Sequence, residues 1–201
     1  MRPQAMLLEG LERQLVFNRL RAVIGERWEL PGLIDGLVLP AGSRCLELGT
    51  GTGWGSLGVA RHLRPALLVA TDYDPAILPL TRDYFDQQHI TDRVVMARAD
   101  AKHLPFQQHT FDGVLGLYVL HHVMGYRQAL AEISRVLKPG GWFIEIDPVR
   151  PTTAPGLVQR LWPTWLATDN ELTLMLEEAG FAIERRSEIP GLSRVVARKT
   201  D

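Results

Sequence analysis

A chain of 201 residues suits one domain with a well-covered core. With 46% hydrophobic and 22% charged residues it has an ordinary globular composition, and a formal net charge of -1 weighs against a protein built to grip a nucleic-acid backbone. One cysteine, Cys45, inside an apolar run, excludes an internal disulfide and a cysteine-based metal site and fits a small buried hydrophobe in a reducing compartment.

Residues 1–10 lack the long apolar core and small-residue cleavage site of a secretory leader, and no window approaches about 18 uninterrupted apolar residues. The expectation is a cytoplasmic protein without a transmembrane segment. Residues 7–24 read as an amphipathic helix, with Leu8, Leu11, Leu15, Leu20 and Ile24 at helical spacing. Pro31 and the Pro40-Ala41-Gly42 turn punctuate the stretch between this helix and residue 44.

From residue 44 short apolar runs alternate with longer periodic segments. Strands are expected at 45–48, 67–71, 94–97, 111–117 and 142–146. Helices are expected at 55–63, from Pro75 to about Gln88, and at 126–137, the last closed by the turn Lys138-Pro139-Gly140-Gly141. This rhythm predicts an α/β fold, a Rossmann-like doubly wound sheet that is mostly parallel with helices on both faces. Residues 148–167 hold Pro148, Pro151, Pro155 and Pro163 with Trp162 and Trp165, and read as an irregular excursion over the sheet. A helix at 171–179 ends at Gly180, and two strands at 181–188 and 192–198 flank Pro190-Gly191, close enough to pair antiparallel. The chain divides into an N-terminal helical cap (1–42), a cofactor-binding core (43–147) and an acceptor-side excursion with closing strands (148–201), all in one domain.

The most informative stretch runs from Leu46 through Glu47, Leu48, Gly49, Thr50, Gly51, Thr52 and Gly53 to Trp54 and Gly55. Glycines at a strand-to-helix turn let the backbone approach a ligand closely. A dinucleotide loop wants G-x-G-x-x-G, but here Trp54 stands at the third glycine position, and Glu47 puts negative charge beside the loop. Both features disfavour a pyrophosphate and suit a ligand that carries positive charge.

Glu47 through Gly53 resembles the first motif of the class I S-adenosylmethionine-dependent methyltransferases. Further pieces are similar to that family in order: Asp72 and Tyr73 after the second strand, Asp100-Ala101 leading to Leu104-Pro105-Phe106, Phe111-Asp112-Gly113-Val114, and Arg135 to Gly141. The match covers residues 45–147, about half of the chain, and looks most like the branch with small-molecule and quinone or lipid substrates. The resemblance implies S-adenosyl-L-methionine as cofactor, with contacts from Glu47, Gly49, Thr50, Gly51, Gly53, Asp72, Tyr73, Asp100, Ala101 and Leu117. Asp72 would accept hydrogen bonds from both ribose hydroxyls, a role a lone carboxylate suits. Each piece also has a plainer reading. Glu47 either touches the ligand or anchors the loop, Asp72 and Asp100 also fit turn or cap acids, and Asp112 sits at a strand start as a structural residue.

A sulfonium methyl is already activated, so alignment and water exclusion are the main demands. A general base is needed only when the acceptor arrives protonated. Candidates are Tyr118, His121 and His122, in the segment after the fourth strand, although one imidazole there also suits a loop anchor. The first helix and the excursion would shape the acceptor pocket with Phe17, Tyr118, Trp162 and Trp165, which fits a small hydrophobic acceptor; core packing of the tryptophans is the rival. A short excursion also fits a homodimer whose second subunit completes the site.

No Asn-Pro-Pro-Tyr or Asp-Pro-Pro-Tyr follows the fourth strand, so the resemblance to amino-methylating DNA enzymes is missing, and no His and carboxylate cluster has metal spacing. Three rivals stand: a dinucleotide enzyme, a non-catalytic S-adenosylmethionine-binding or regulatory protein, and an RNA methyltransferase using Arg185, Arg186, Arg194 and Arg198, which more simply form a solvated strand face.

Overall fold

The computed structural model describes residues 25–152 and 166–201. The helix expected at 7–24, and with it Phe17, Trp162 and Trp165, lies outside the described residues.

Seven strands form one sheet in the order β3-β2-β1-β4-β5-β7-β6. They are β1 (Arg44–Leu48), β2 (Leu67–Asp72), β3 (Val94–Arg98), β4 (Phe111–Leu117), β5 (Leu137–Pro148), β6 (Phe181–Ile189) and β7 (Leu192–Lys199). The first five are mutually parallel, and β7 inserts antiparallel between β5 and β6. Every residue of β4 is buried, as a central strand covered on both faces requires. The helices are α1 (Leu30–Ile34), α2 (Trp54–His62), α3 (Ile77–Gln87), α4 (Tyr126–Val136) and α5 (Asp169–Glu178), with a π-helical turn at Gly25–Glu29 ahead of α1.

Two apolar layers hold the helices to the sheet. On one face, Leu30, Leu33, Val59 and Phe85 meet Cys45, Leu68, Leu115 and Ile144. On the other, Ala129, Leu130, Ile133, Leu172 and Leu176 meet Leu46, Val114, Phe143 and Val195. A buried Leu, Ile or Phe of this kind contributes about 1.5–3 kcal/mol. Helix α2 is rich in small residues, which brings it close to its neighbours: a methyl group on Gly58 would sit 2.4 Å from Leu30 Cδ2.

Several boundaries differ from the sequence reading, each for a local reason. Strand β5 starts at Leu137, not Trp142, because the Lys138–Gly141 turn is a bulge within the strand rather than a stop before it. Proline lacks the ladder N–H, and the β4–β5 register jumps from Phe111↔Leu137 to Gly113↔Trp142. Helix α5 starts at Asp169 because Thr168 caps it in a capping box with Glu171, the residue expected to open the helix. Pro31 occupies the first turn of α1, where its missing N–H is tolerated.

Candidate active site

The parallel registers bring Leu48, Asp72, Arg98, Leu117 and Asp147 to one carboxyl edge of the sheet. Strand order reverses between β1 and β4, which opens a crevice at that edge.

The turn from β1 to α2 is left-handed at three glycines, Gly49 (φ 60°), Gly51 (φ 49°) and Gly53 (φ 81°). Gly49 also needs its bare Cα for space, since a methyl there would lie 2.3 Å from Val119 Cγ2. Beneath this turn Glu47 points inward, 2% exposed. Thr50 Oγ1 donates to its Oε2 at 2.9 Å, and the Ser56 hydroxyl donates to the same oxygen. Gly55 leaves room for the carboxyl, as a methyl there would meet Glu47 Oε1 at 2.0 Å. Burial pushes Glu47 up to about 7, against the pull of the hydroxyl and amide donors. Its carboxyl is thus an internal strut of the loop.

Asp72 ties the loop to β2. It accepts from the Gly51 N–H at 3.1 Å and from the Asp74 N–H at 3.0 Å. Burial raises its pKa, and the two amides oppose the rise. Tyr73 is 38% exposed and lies under the Arg98 guanidinium, 5.5 Å from the ring centroid. Past β3, Asp100 accepts from the Lys102 N–H at 2.9 Å, and half-buried Ala101 packs on the core. Trp54 opens α2 with its indole against the Gly25 backbone.

The β4 end forms the other wall. Leu117 is buried, and Tyr118 holds a left-handed backbone (φ 58°) that a bulky residue rarely adopts. The Tyr118 N–H donates to Ile146 O at 2.6 Å, and its hydroxyl reaches Glu29 Oε2 at 3.2 Å, joining this turn to the π-helical turn at 25–29. A single 3₁₀ turn at Leu120–His122 comes next in the chain. His121 donates its backbone N–H to Asp147 Oδ2 at 2.8 Å, and its Nδ1 lies 2.8 Å from Asp147 Oδ1. The His121 and His122 rings are 3.8 Å apart, centroid to centroid.

Asp112 stands at the opposite edge, as its position at a strand start implies. It accepts from the Arg44 N–H and from Lys138 Nζ, each at 2.8 Å, and joins three strands. The four arginines offered to an RNA are directed at protein acceptors. Arg185 donates to Leu33 O and Asp35 O at the end of α1, and Arg186 to Asp169. Arg194 donates to Glu29 O, and Arg198 stacks on Trp142 at 3.6 Å. Among the described residues no group of three or more His, Cys, Asp or Glu side chains is placed to hold a metal, and no helix is long and apolar enough to cross a membrane.

Sequence reasoning passed over Asp147 and Glu145. Both are fully buried, on one face of β5, and Tyr126 from α4 donates its hydroxyl to Glu145 Oε1. The signal was present in Ile144-Glu145-Ile146-Asp147, where acids alternate with apolar residues in a strand at the centre of the sheet.

Residues 46–144 match a family model described as a methyltransferase domain. The chain is 34% identical over 125 residues to the demethylmenaquinone methyltransferase of Lactiplantibacillus plantarum, covering 62% of this chain and 52% of that one. It is 31% identical over 142 residues to a sterol 4-C-methyltransferase of Caenorhabditis elegans, covering 71% of this chain and 39% of that one. The chain thus spans about half the length, or less, of these curated relatives. Among solved structures, a SAM-dependent methyltransferase from Aquifex aeolicus superposes with a TM-score of 0.76 at 18% identity, over 96% of this chain and 99% of that one, and so shares the fold. With its ordered motifs, its strand order and these relatives, the chain belongs to the class I S-adenosylmethionine-dependent methyltransferase family.

Proposed function

We propose that this protein binds S-adenosylmethionine in the crevice beyond β1 and β4 and methylates a small, apolar acceptor. The observation that carries this reading is the glycine turn locked to Asp72 through the Gly51 N–H, with Asp72 at the carboxyl edge. The residues present fit the cofactor. Left-handed glycines leave the turn without bulky side chains, Asp72 presents a carboxylate for a cis diol, and the Asp100-Ala101 turn supplies a polar edge beside an apolar one. When bound, the cofactor supplies a methyl carbon whose bond to sulfur breaks with the electron pair staying on sulfur.

The chain itself aligns, shields and handles a proton. Thr50 and Ser56 hold the turn on Glu47, and Trp54 shields it on the side of residue 25. Tyr118 faces the acceptor from its strained turn. His121 receives, at Nε2, the proton that a protonated acceptor loses as it bonds to carbon. The relatives named for a menaquinone precursor and a sterol support an apolar acceptor. A single domain with an N-terminal cap and an acceptor-side excursion remains the organisation we favour, and a cytoplasmic location belongs to the same reading.

Thermal unfolding with S-adenosylhomocysteine tests the cofactor, with NAD as control. At 100 times Kd a native-state ligand adds about 2.7 kcal/mol, which raises Tm by about 5–10 °C for a chain of this size. A shift with NAD alone would replace this reading with a dinucleotide enzyme. Transfer of labelled methyl to a reduced, short-chain demethylmenaquinone tests the acceptor class.

A further inference from the structure

The turn carrying Tyr118 and His121 rests on one buried carboxyl. Asp147 is 2% exposed and meets the His121 N–H, His121 Nδ1 and the backbone amides of Val119 and Leu120. Two positions back, Glu145 is 0% exposed and takes one donor, the Tyr126 hydroxyl. Among the described residues Glu145 Oε2 and Ser193 Oγ find no hydrogen-bond partner. Such a pair of acids on one strand face does not carry two negative charges in an apolar layer.

We propose that Asp147 is the positioning residue of the acceptor side, holding His121 with its proton on Nδ1 so that Nε2 is the basic nitrogen, while Glu145 keeps the proton that leaves Asp147 the single anion. The inference rests on the methyltransferase reading above and deepens it.

Donor count decides which acid is ionised. Amide N–H groups satisfy a carboxylate and have nothing to accept from a carboxylic acid, so three of them favour the anion at Asp147. A phenol hydroxyl serves either form, so the Tyr126 contact lets Glu145 stay neutral. Burial and the negative charge of Asp147 push Glu145 up to about 8, and burial raises Asp147 as well. Other charged groups reaching this pair leave the balance in place. Arg186 from β6 is paired with Asp169 at the start of α5, at 2.9 Å, so the two offset each other. His122 stacks beside His121, and Tyr126 is pushed to a higher pKa by burial and by both acids, so it stays a neutral donor.

A neutral imidazole that donates a hydrogen bond from Nδ1–H to a carboxylate must accept through Nε2, so the tautomer is set before the acceptor arrives. When the acceptor's proton passes to Nε2, Asp147 stabilises the imidazolium without taking that proton. Solvent then removes it. A correctly held base of this type contributes about 10²–10⁴-fold to kcat.

The test is NMR of the imidazole nitrogens in the full chain bound to S-adenosylhomocysteine, in neutral buffer, where Glu145 still holds its proton, with His121→Gln used to assign the signals. The wild type is expected to show His121 protonated at Nδ1 and bare at Nε2. Glu145→Gln, which imitates a neutral acid, keeps that pattern. Asp147→Asn moves the proton towards Nε2, and kcat with the reduced quinone falls by about 10²–10⁴ while KM holds. A purely structural Asp147 would lose activity without changing the tautomer. Nε2 protonation in the wild type, or an unchanged spectrum in a folded Asp147→Asn, overturns the proposal. Should Asp147→Asn fail to fold, the wild-type and Glu145→Gln spectra decide alone. Failure of S-adenosylhomocysteine to bind would sink the cofactor reading instead, and the His121 tautomer would still be read from the apo protein.

Discussion

The two halves of the carboxyl edge are built on the same device with opposite chemistry. Under the cofactor turn, Glu47 is held by the hydroxyls of Thr50 and Ser56. Under the acceptor turn, Asp147 is held by backbone amides and an imidazole. Hydroxyls both donate and accept, so Glu47 keeps its partners whether or not it is ionised. Amides only donate, so the partners of Asp147 favour the anion over the acid. One strut tolerates a change of charge, and the other ties the geometry of its loop to its charge. A fixed binding cradle needs only shape, whereas a base needs a defined proton.

The halves meet where Gly49 lies against Val119, and that joint is where the largest effect is expected. Gly49→Ala puts a methyl 2.3 Å from Val119 Cγ2 on a backbone at φ 60°. Left-handed strain and overpacking together cost about 2–5 kcal/mol. Urea unfolding should show the loss, and calorimetry should show S-adenosylhomocysteine binding lost with it. Full stability in this variant would mean that the two turns move independently. Asp72→Ala sharpens the comparison from the cofactor side alone. It removes the acceptor for the Gly51 and Asp74 amides and the carboxylate for the ribose, a loss of about 1.5–3 kcal/mol of charged hydrogen bonding. Affinity measured by calorimetry should fall about 10–100-fold. The His121 imidazole spectrum should stay as in the wild type, because nothing in the acceptor half changes.

The same contrast explains what could be read from the sequence. The cofactor half was legible because its signals are local. Glycines cluster in one turn, Asp72 ends an apolar run, and the β-α-β rhythm places both at one edge. The acceptor half is assembled over distance. His121 meets Asp147 across 26 residues, and Tyr118 meets Glu29 across 89, so no spacing rule announces either pair. Sequence pattern also put β7 and β6 in the right place but left open which lies next to β5, since the hairpin at Pro190-Gly191 pairs equally well from either side. Arg185 of β6 and Arg194 of β7 read as part of a solvated face because their targets, the carbonyls of 29, 33 and 35, are more than a hundred residues away in the chain.

The smallest effect expected concerns the charge-tolerant strut. In the unfolded chain Glu47 loses its proton near the ordinary glutamate value of about 4.3. In the folded chain burial holds the proton until about 7. Between those values the folded state carries one more proton than the unfolded state, so stability falls as pH rises, by at most about 1.4 kcal/mol per pH unit. Above about 7 both states are ionised and this contribution is flat. Glu47→Gln keeps the size and an acceptor for the hydroxyls and removes the proton. Urea midpoints measured across this range should therefore show a shallower decline in the variant. From about 7 to about 8, where Glu145 is still losing its proton, the two curves should run parallel. Equal slopes below about 7 would mean that Glu47 is ionised throughout, and the two struts would then be alike in charge as well as in place.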